Sequence, residues 1–284
     1  MAPYINILGF SVPAYGLTIL AGSFAAILIS LLFPCKPGCS RQDIFFSSVY
    51  AGIGVFIGAK ALYLFVNAAA FIELIRRGDV DLKFIYAAAS SGFVFYGGLI
   101  GGVAGVLLYA RIYRLPAWDH VEALMPAVPL LHSFGRAGCF LAGCCYGVPW
   151  ERPLGVSFPR NSFAPPETPL FPVQVFESGF NLLLFALLFV YSRKPRARGR
   201  ILGLYVACYS GARFVLEFFR NDYRGSGWVF SVSQWISLAL FPAALFLLLK
   251  KHPPGKTGGV DTAPVVGAVT AAALTEAAAD QWEV

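Results

Sequence analysis

The sequence predicts an all-α integral membrane protein of about seven transmembrane helices with a partly irregular insert on the outer side. Of its 284 residues, 57% are hydrophobic and 13% are charged, and the mean hydropathy is +0.67. Soluble domains carry about 25% charged residues. The net charge of +7 falls mostly at the ends of apolar runs, which indicates membrane flanks rather than a nucleic-acid surface.

The apolar runs define the candidate spans, since a bilayer is crossed by about 20 apolar residues in a helix. The fourth run is the weakest, because it contains Glu122, His132 and two prolines. An odd number of spans places the termini on opposite sides. The Lys/Arg cluster at 193–200 then predicts an outer N-terminus and a cytoplasmic C-terminus. The seven runs are residues 12–33, 44–71, 86–109, 119–135, 175–191, 200–219 and 228–249.

Two parts of the chain depart from this pattern. The proline-rich segment 136–172 is expected to be a non-helical insert on the outer side of a membrane domain that covers residues 1–252. Residues 253–284 are rich in Gly, Ala, Val and Thr, and they are expected to form a flexible cytoplasmic tail.

Arg136 opens the most informative stretch, in which glycines and cysteines follow a charge between apolar runs. A charge at membrane depth costs about 2.5–3.5 kcal/mol even on lenient insertion scales. Irregular backbone persists there only where protein or a water-filled cavity covers it. Guanidinium groups bind phosphate oxygens bidentately. The stretch therefore indicates a cavity that offers positive charge to an anion, and the alternative is a structural partner for a carboxylate.

A second polar stripe lies in the sixth run. Arg213 and Glu217 are four residues apart, and Tyr209 and Arg220 fall near the same helical face. This pattern indicates a functional polar stripe, although a neutralised ion pair that tolerates burial has the same spacing. Glu177 begins the fifth run, where it either complements the helix dipole or orients a buried arginine.

Several further residues have two interpretations. Gly97 and Gly98 follow Tyr96 and either contact a ligand or allow close helix packing. Lys60 is either a buried cation or reaches the membrane interface. His132 is a core residue or a titratable neighbour of the Arg136 stretch.

The cysteines also leave alternatives open. Cys139, Cys144 and Cys145 are packing residues, disulfide partners or nucleophiles. Cys35 and Cys39 have no His or Cys partner at zinc-finger spacing, so no metal site is predicted.

Taken in order, the motifs resemble the prolipoprotein diacylglyceryl transferase family over about residues 1–250. The resemblance implies a bacterial inner-membrane enzyme that moves the diacylglyceryl group of phosphatidylglycerol to the lipobox cysteine of a preprolipoprotein signal peptide. It implies glycerol phosphate as the leaving group, no cofactor and no nucleic-acid partner. The oligomeric state is not indicated. The matching motifs are Tyr15-Gly16, Phe95-Tyr96-Gly97-Gly98-Leu99-Ile100-Gly101, Gly135-Arg136-Ala137-Gly138-Cys139-Phe140, Pro172-Val173-Gln174-Val175-Phe176-Glu177, the stripe from Tyr209 to Arg220 and Gln234-Trp235-Ile236-Ser237.

The resemblance also implies roles for the candidate residues. Arg136 and Arg213 would hold the lipid phosphate, and Glu177 and Glu217 would orient them. The remaining candidates would contact the lipid: Tyr15, Tyr96, Gly97, Gly98, Tyr209 and Arg220.

Three departures set this chain apart from the family pattern. Tyr96 stands where the family has histidine, Cys139 stands where it often has asparagine, and Gly58-Ala59-Lys60 replaces Gly-Gly-Arg. They resemble a divergent cysteine-rich branch, and they leave the proton acceptor open. The alternative function is a lipid-handling or anion-transporting protein without transferase chemistry, but the chain lacks the internal repeat that is typical of transporters.

Overall fold

A computed structural model of the chain describes residues 3–7, 9–32, 39–77, 81, 94–151, 153–194, 196–221 and 229–250, without the side chains of residues 7, 70, 95, 96 and 232. An N-terminal hairpin pairs β1 (Tyr4–Ile7) with β2 (Phe10–Pro13), and Gly9 turns between them at a φ of +86°. The helices are α1 (Ala14–Leu32), α2 (Arg41–Val66), α3 (Ala68–Arg77), α4 (Phe95–Ile112), α5 (Ala117–Leu124), α6 (Ala127–Ala142), α7 (Val173–Ser192), α8 (Arg200–Glu217) and α9 (Val232–Leu249).

The predicted class of helical membrane protein is confirmed at this level. Within the described ranges, α1, α2 and α7 are long and apolar enough to cross a bilayer, and α4 and α9 contain shorter apolar helices. The number of spans and the orientation stay predictions. The proposed tail, Cys35 and the start of the third run at residue 86 lie outside the described residues.

Some boundaries differ from those expected. The second run breaks at Asn67 into α2 and α3, and the fourth breaks at Met125 and Pro126 into α5 and α6. A proline lacks the N–H that would continue a helix but is tolerated in a first turn. Helix α6 continues through Ala142, so irregular backbone begins at Gly143 rather than at Arg136. The N-terminal hairpin is also a departure from a purely helical fold.

Helices α2 and α4 cross along glycines that allow their backbones to touch. A Cβ atom on Gly101 would collide with the Gly54 carbonyl and lie 3.0 Å from the Cα of Gly58. A Cβ on Gly97 would meet the Gly58 carbonyl, and one on Gly98 would lie 3.3 Å from the Val55 side chain. Such small-residue contacts are a common way for helices to associate in membranes.

The other helices pack in a chain of neighbours, α1 on α6, α6 on α7, α7 on α8 and α8 on α9. Side chains cap the starts of α8 and α9. The buried Glu122 carboxylate accepts hydrogen bonds from the N–H groups of Gly199 (2.6 Å) and Ile201 (3.3 Å), so it caps the start of α8. Ser231 caps α9 in a reciprocal capping box with Gln234.

The insert between α6 and α7 closes on itself and on the end of α8. Its neck is held by hydrogen bonds from Phe171 N to Val148 O (2.9 Å) and from Trp150 N to Pro169 O (2.8 Å). Beyond the neck, a small core of Phe158, Ala164 and Leu170 stabilises the loop. The insert is thus a compact unit attached beside the C-terminal end of α6.

Candidate active site

Three arginines and two glutamates meet in a buried cluster, which we call the charge cluster. Arg136 comes from α6, Glu177 from the first turns of α7, Arg213 and Glu217 from α8, and Arg220 from just after α8. The arginine side chains are 3–12% exposed, and the glutamates are 1% and 7% exposed. Buried charges are tolerated only when they are paired with opposite charges. The ion pairs therefore determine how the side chains of the charge cluster are arranged.

Glu177 bridges two arginines that come from different elements. Its Oε1 lies 3.0 Å from Arg136 Nε, and its Oε2 lies 3.6 Å from Arg220 Nη1. His132 Nε2 is 4.0 Å from the same Oε1. Of the two interpretations of Glu177, the contacts favour the orientation of buried arginines.

Glu217 forms the other half of the charge cluster. Its Oε2 lies 2.6 Å from Arg213 Nη2, one helical turn earlier, and 3.9 Å from Arg220 Nε. Ser231 Oγ donates to Glu217 Oε1 (2.9 Å), and Arg213 Nη2 donates to Ser233 Oγ (3.3 Å). The two serines were not among the predicted site residues, although the capping-box pattern Ser-x-x-Gln at 231–234 marks their position in the sequence.

The charge cluster contains one more positive charge than negative charge, because three guanidinium groups face two carboxylates. Arg213 Nη1 is buried and makes no hydrogen bond to any described residue. A buried donor that lacks a partner costs about 1–3 kcal/mol. An oxyanion of single charge would satisfy both the surplus charge and this donor.

Aromatic groups surround Arg136. The Tyr209 ring lies 5.1 Å from the His132 ring, and Tyr209 also interacts with Arg136. Tyr15, at the start of α1, is 44% exposed and packs against Gly138, where an added Cβ would lie 3.0 Å from its ring. Tyr15 and Tyr209 therefore line the surroundings of Arg136, as expected if they contact a ligand there.

Residues 3–250 match the family model for prolipoprotein diacylglyceryl transferase. The chain belongs to the prolipoprotein diacylglyceryl transferase family. Among its relatives, a phosphatidylglycerol–prolipoprotein diacylglyceryl transferase of Clostridium tetani is 36% identical over 242 residues, which cover 85% of this chain and 94% of the relative. Transferase 2 of Clostridium perfringens is 33% identical (85% and 92% covered), and the transferase of Idiomarina loihiensis is 30% identical (86% and 90% covered).

Membership of this family, together with the apolar helices, indicates a bacterial inner-membrane protein. It also disfavours the alternative of transport without transferase chemistry. The roles of individual residues stay predictions. Gly97 and Gly98 lie at the crossing of α2 and α4, and Tyr96 is in the first turn of α4 with its side chain outside the described part of the chain. Lys60 Nζ lies 5.3 Å from the centre of the Tyr63 ring, on the same helix.

Proposed function

We propose that this protein transfers the diacylglyceryl group of phosphatidylglycerol to the lipobox cysteine thiol of preprolipoproteins. The buried charge cluster is the observation that supports this function most directly. Its surplus positive charge and the Arg213 Nη1 donor suit one phosphodiester anion. The names of the relatives describe the same two substrates, phosphatidylglycerol and prolipoprotein.

The reaction forms a carbon–sulfur bond and breaks a carbon–oxygen bond. The peptide sulfur, as a thiolate, attacks the terminal glyceryl carbon, and the electron pair of the broken bond moves to the phosphate oxygen. Negative charge therefore builds up on the phosphate as glycerol phosphate leaves. Arg136 and Arg213 are the groups that would stabilise this charge, and preorganised donors of this kind are usually the largest catalytic contribution.

Direct transfer is preferred over a covalent intermediate on an enzyme cysteine. Alkylation of Cys139, Cys144 or Cys145 would produce a thioether. A thioether sulfur is a poor leaving group for attack by a second thiolate, so the enzyme would be trapped after one turnover. We therefore infer that none of these cysteines is the nucleophile of the transfer reaction.

The proposed topology brings both substrates to the charge cluster from the outer side. Seven spans with an outer N-terminus would place the C-terminal end of α6, the insert and Arg220 at the outer face. The lipid would enter laterally from the bilayer, and the signal peptide would present its lipobox near the interface. Cysteine substitution with a membrane-impermeant thiol reagent at residues 161 and 193 tests this orientation.

The activity itself is tested with purified full-length protein in phosphatidylglycerol micelles and a lipobox peptide. The expected products are the diacylglyceryl thioether of the peptide and glycerol phosphate, both detected by mass spectrometry. Arg213→Ala should abolish the product. Arg198→Ala is the matched control, because Arg198 pairs with Asp119 at 3.3 Å but is 54% exposed and outside the charge cluster. The proposal fails if folded wild-type protein forms no thioether, or if both variants behave alike.

A further inference from the structure

Three thiols gather next to the charge cluster. The Sγ atoms of Cys139, Cys144 and Cys145 all lie within 4.8 Å of one another. None of the three is in a disulfide. Cys139 is buried, whereas Cys144 and Cys145 are partly exposed, so the group is accessible from one side.

The backbone around the thiols holds them in this arrangement. Gly143 ends α6 in the left-handed conformation (φ +75°), which turns the chain so that Cys144 N bonds back to Cys139 O (3.1 Å). Gln174 Nε2 donates to Cys144 O at 2.9 Å. Cys145 itself has a φ of +59°, which is uncommon for a residue other than glycine. Contacts from α6 and α7 thus fix the group.

The end of α8 holds the same loop from the other side. Val148 N donates to Phe219 O (2.9 Å) and Asn221 N donates to Tyr146 O (3.2 Å). These bonds bring the thiols next to Arg220, and Cys145 interacts electrostatically with both Arg220 and Arg136. The thiols and the charge cluster therefore form adjacent parts of one site.

We propose that Cys139, Cys144 and Cys145 bind one Zn²⁺ ion and leave its fourth position for the thiol of the incoming peptide. This proposal rests on the proposed transferase function. Zinc–sulfur bonds of about 2.3 Å place the sulfurs of a tetrahedral site about 3.8 Å apart. The described sulfurs lie within 4.8 Å of one another, so each pair would have to approach by about an ångström or less to reach this spacing.

The number and type of ligands favour a catalytic zinc site over a structural one. Thiolates select soft or borderline metals such as zinc. Structural zinc sites have four protein ligands, whereas catalytic sites have three and keep one position open. Zn²⁺ with three thiolates carries a single negative charge, which offsets the one surplus positive charge of the charge cluster. With zinc bound, the phosphate would be held by guanidinium hydrogen bonds rather than by a net positive charge. Arg213 Nη1 remains available for the phosphate.

The metal would provide the thiolate that the reaction needs. A thiol that coordinates zinc loses its proton outright. Both carboxylates of the charge cluster already contact guanidinium groups, so neither is the obvious acceptor for this proton. Here the proton passes to water, the sulfur attacks the glyceryl carbon, and the electron pair of the carbon–oxygen bond goes to the leaving phosphate. The thioether product is a neutral and weaker ligand, which leaves the zinc and is replaced by water.

Metal binding is tested on the full-length protein, purified in detergent under a reducing agent. Elemental analysis should find one zinc per chain. Replacement by Co²⁺ should give thiolate-to-cobalt absorption in the near ultraviolet and strong visible bands of a tetrahedral ion. Cys139→Ser, Cys144→Ser and Cys145→Ser should each lose the metal. Cys208→Ser, in α8 and outside the group, is the matched control and should keep it. If a serine variant fails to fold, Cys144→His is the alternative test. Histidine is also a zinc ligand, so this variant should retain cobalt with an altered spectrum.

Two further measurements address the open position. A lipobox peptide should shift the visible cobalt bands, and the same peptide with serine in place of cysteine should not. Loss of a metal ligand should lower the transfer rate at least about tenfold, the lower limit seen when outer-shell partners of metals are removed.

The proposal is overturned if the wild-type protein binds no zinc or cobalt, or if mass spectrometry finds a disulfide among the three cysteines. It is also overturned if the lipobox peptide does not shift the cobalt bands, or if metal-free protein transfers at the full rate. The transferase function fails separately, through the absence of any thioether product from the metal-loaded protein. A metal-free protein that still needs Arg213 would contradict only the zinc site.

Discussion

Removing the charge of Glu177 is the sharpest test of the charge cluster, because this carboxylate holds arginines from two different elements. Glu177→Gln keeps the size of the side chain and removes the counter-charge of Arg136 (3.0 Å) and Arg220 (3.6 Å). Breaking a buried ion pair by removing one partner costs about 3–5 kcal/mol. At about 1.36 kcal/mol for each factor of ten, this corresponds to a loss of about 10²- to 10⁴-fold if the whole cost is felt in the transition state.

The lower end of that range is expected for Glu177→Gln. The amide oxygen still accepts a hydrogen bond from one guanidinium, and the Arg220 contact is the longer of the two. We therefore expect the transfer rate to fall about 10²-fold. The assay is the initial rate of thioether formation per mole of folded protein, with folding monitored by thermal unfolding in detergent.

Glu122→Gln is the matched control for this variant. Glu122 is also fully buried, but it caps α8 through Gly199 N and Ile201 N and is not part of the charge cluster. Its loss should lower the unfolding temperature and leave the rate per folded molecule within a few-fold of wild type. A near-normal rate in Glu177→Gln, or an equal loss of rate in Glu122→Gln, would refute the reasoning.

Three other predictions concern the arginines of the charge cluster, Tyr96 and the crossing of α2 and α4. Arg136→Ala and Arg213→Ala should nearly abolish transfer while membrane insertion stays intact, and the Lys variants should recover only part of the rate, because the bidentate fork is lost; equal rates in the Lys variants and wild type would count against phosphate binding. Tyr96→Phe should lower the rate about 10- to 100-fold, on the scale of one hydrogen bond to a charged group of about 1.5–3 kcal/mol, whereas Tyr96→His should be tolerated; an undiminished rate in the Phe variant would remove Tyr96 from the site. Gly101→Val should lower the free energy of unfolding by about 1–3 kcal/mol or more, because the new side chain would collide with the backbone of α2. Gly52→Ala is its control: a Cβ there meets no atom within 4 Å, so the unfolding temperature should hardly change.

The sequence predicts the parts of the site that have a local signal. Arg136 is conspicuous as a charge between apolar runs, and the Arg213–Glu217 pair is visible in the spacing of one helical turn. The contacts of Glu177 had no such signal, because its two arginines lie on other elements, and only the packing of α7 against α6 and α8 brings them together.

Other features depend on geometry that a sequence pattern does not contain. Cys139 and Cys144 are separated by four residues, a spacing that zinc ligands use, but no second pair of His or Cys follows them at zinc-finger spacing. Gly143 turns the chain at the end of α6 and brings the thiols together. Hydropathy placed most helices but missed the break at Met125, since an interrupted helix keeps the same average composition. The N-terminal hairpin was missed because it lies almost wholly before the first apolar run at residues 12–33, and hydropathy does not detect a pair of short strands.

Substitutions at the neck of the insert and in the loop beyond it are expected to differ in their effect on the charge cluster. Gly147 lies under it, where an added Cβ would lie 2.7 Å from Phe219 O, so even a methyl group there would push Arg220 away from both carboxylates. Beyond the neck, the loop from Trp150 to Pro169 returns to the end of α6, where Phe163 N donates to Ala142 O (3.2 Å) and Ser162 lies against Gly143. An exposed residue away from that contact, such as Leu154, is the matched control for the neck. Leu154→Ala should leave the transfer rate unchanged, whereas the single change Gly147→Ala should lower that rate.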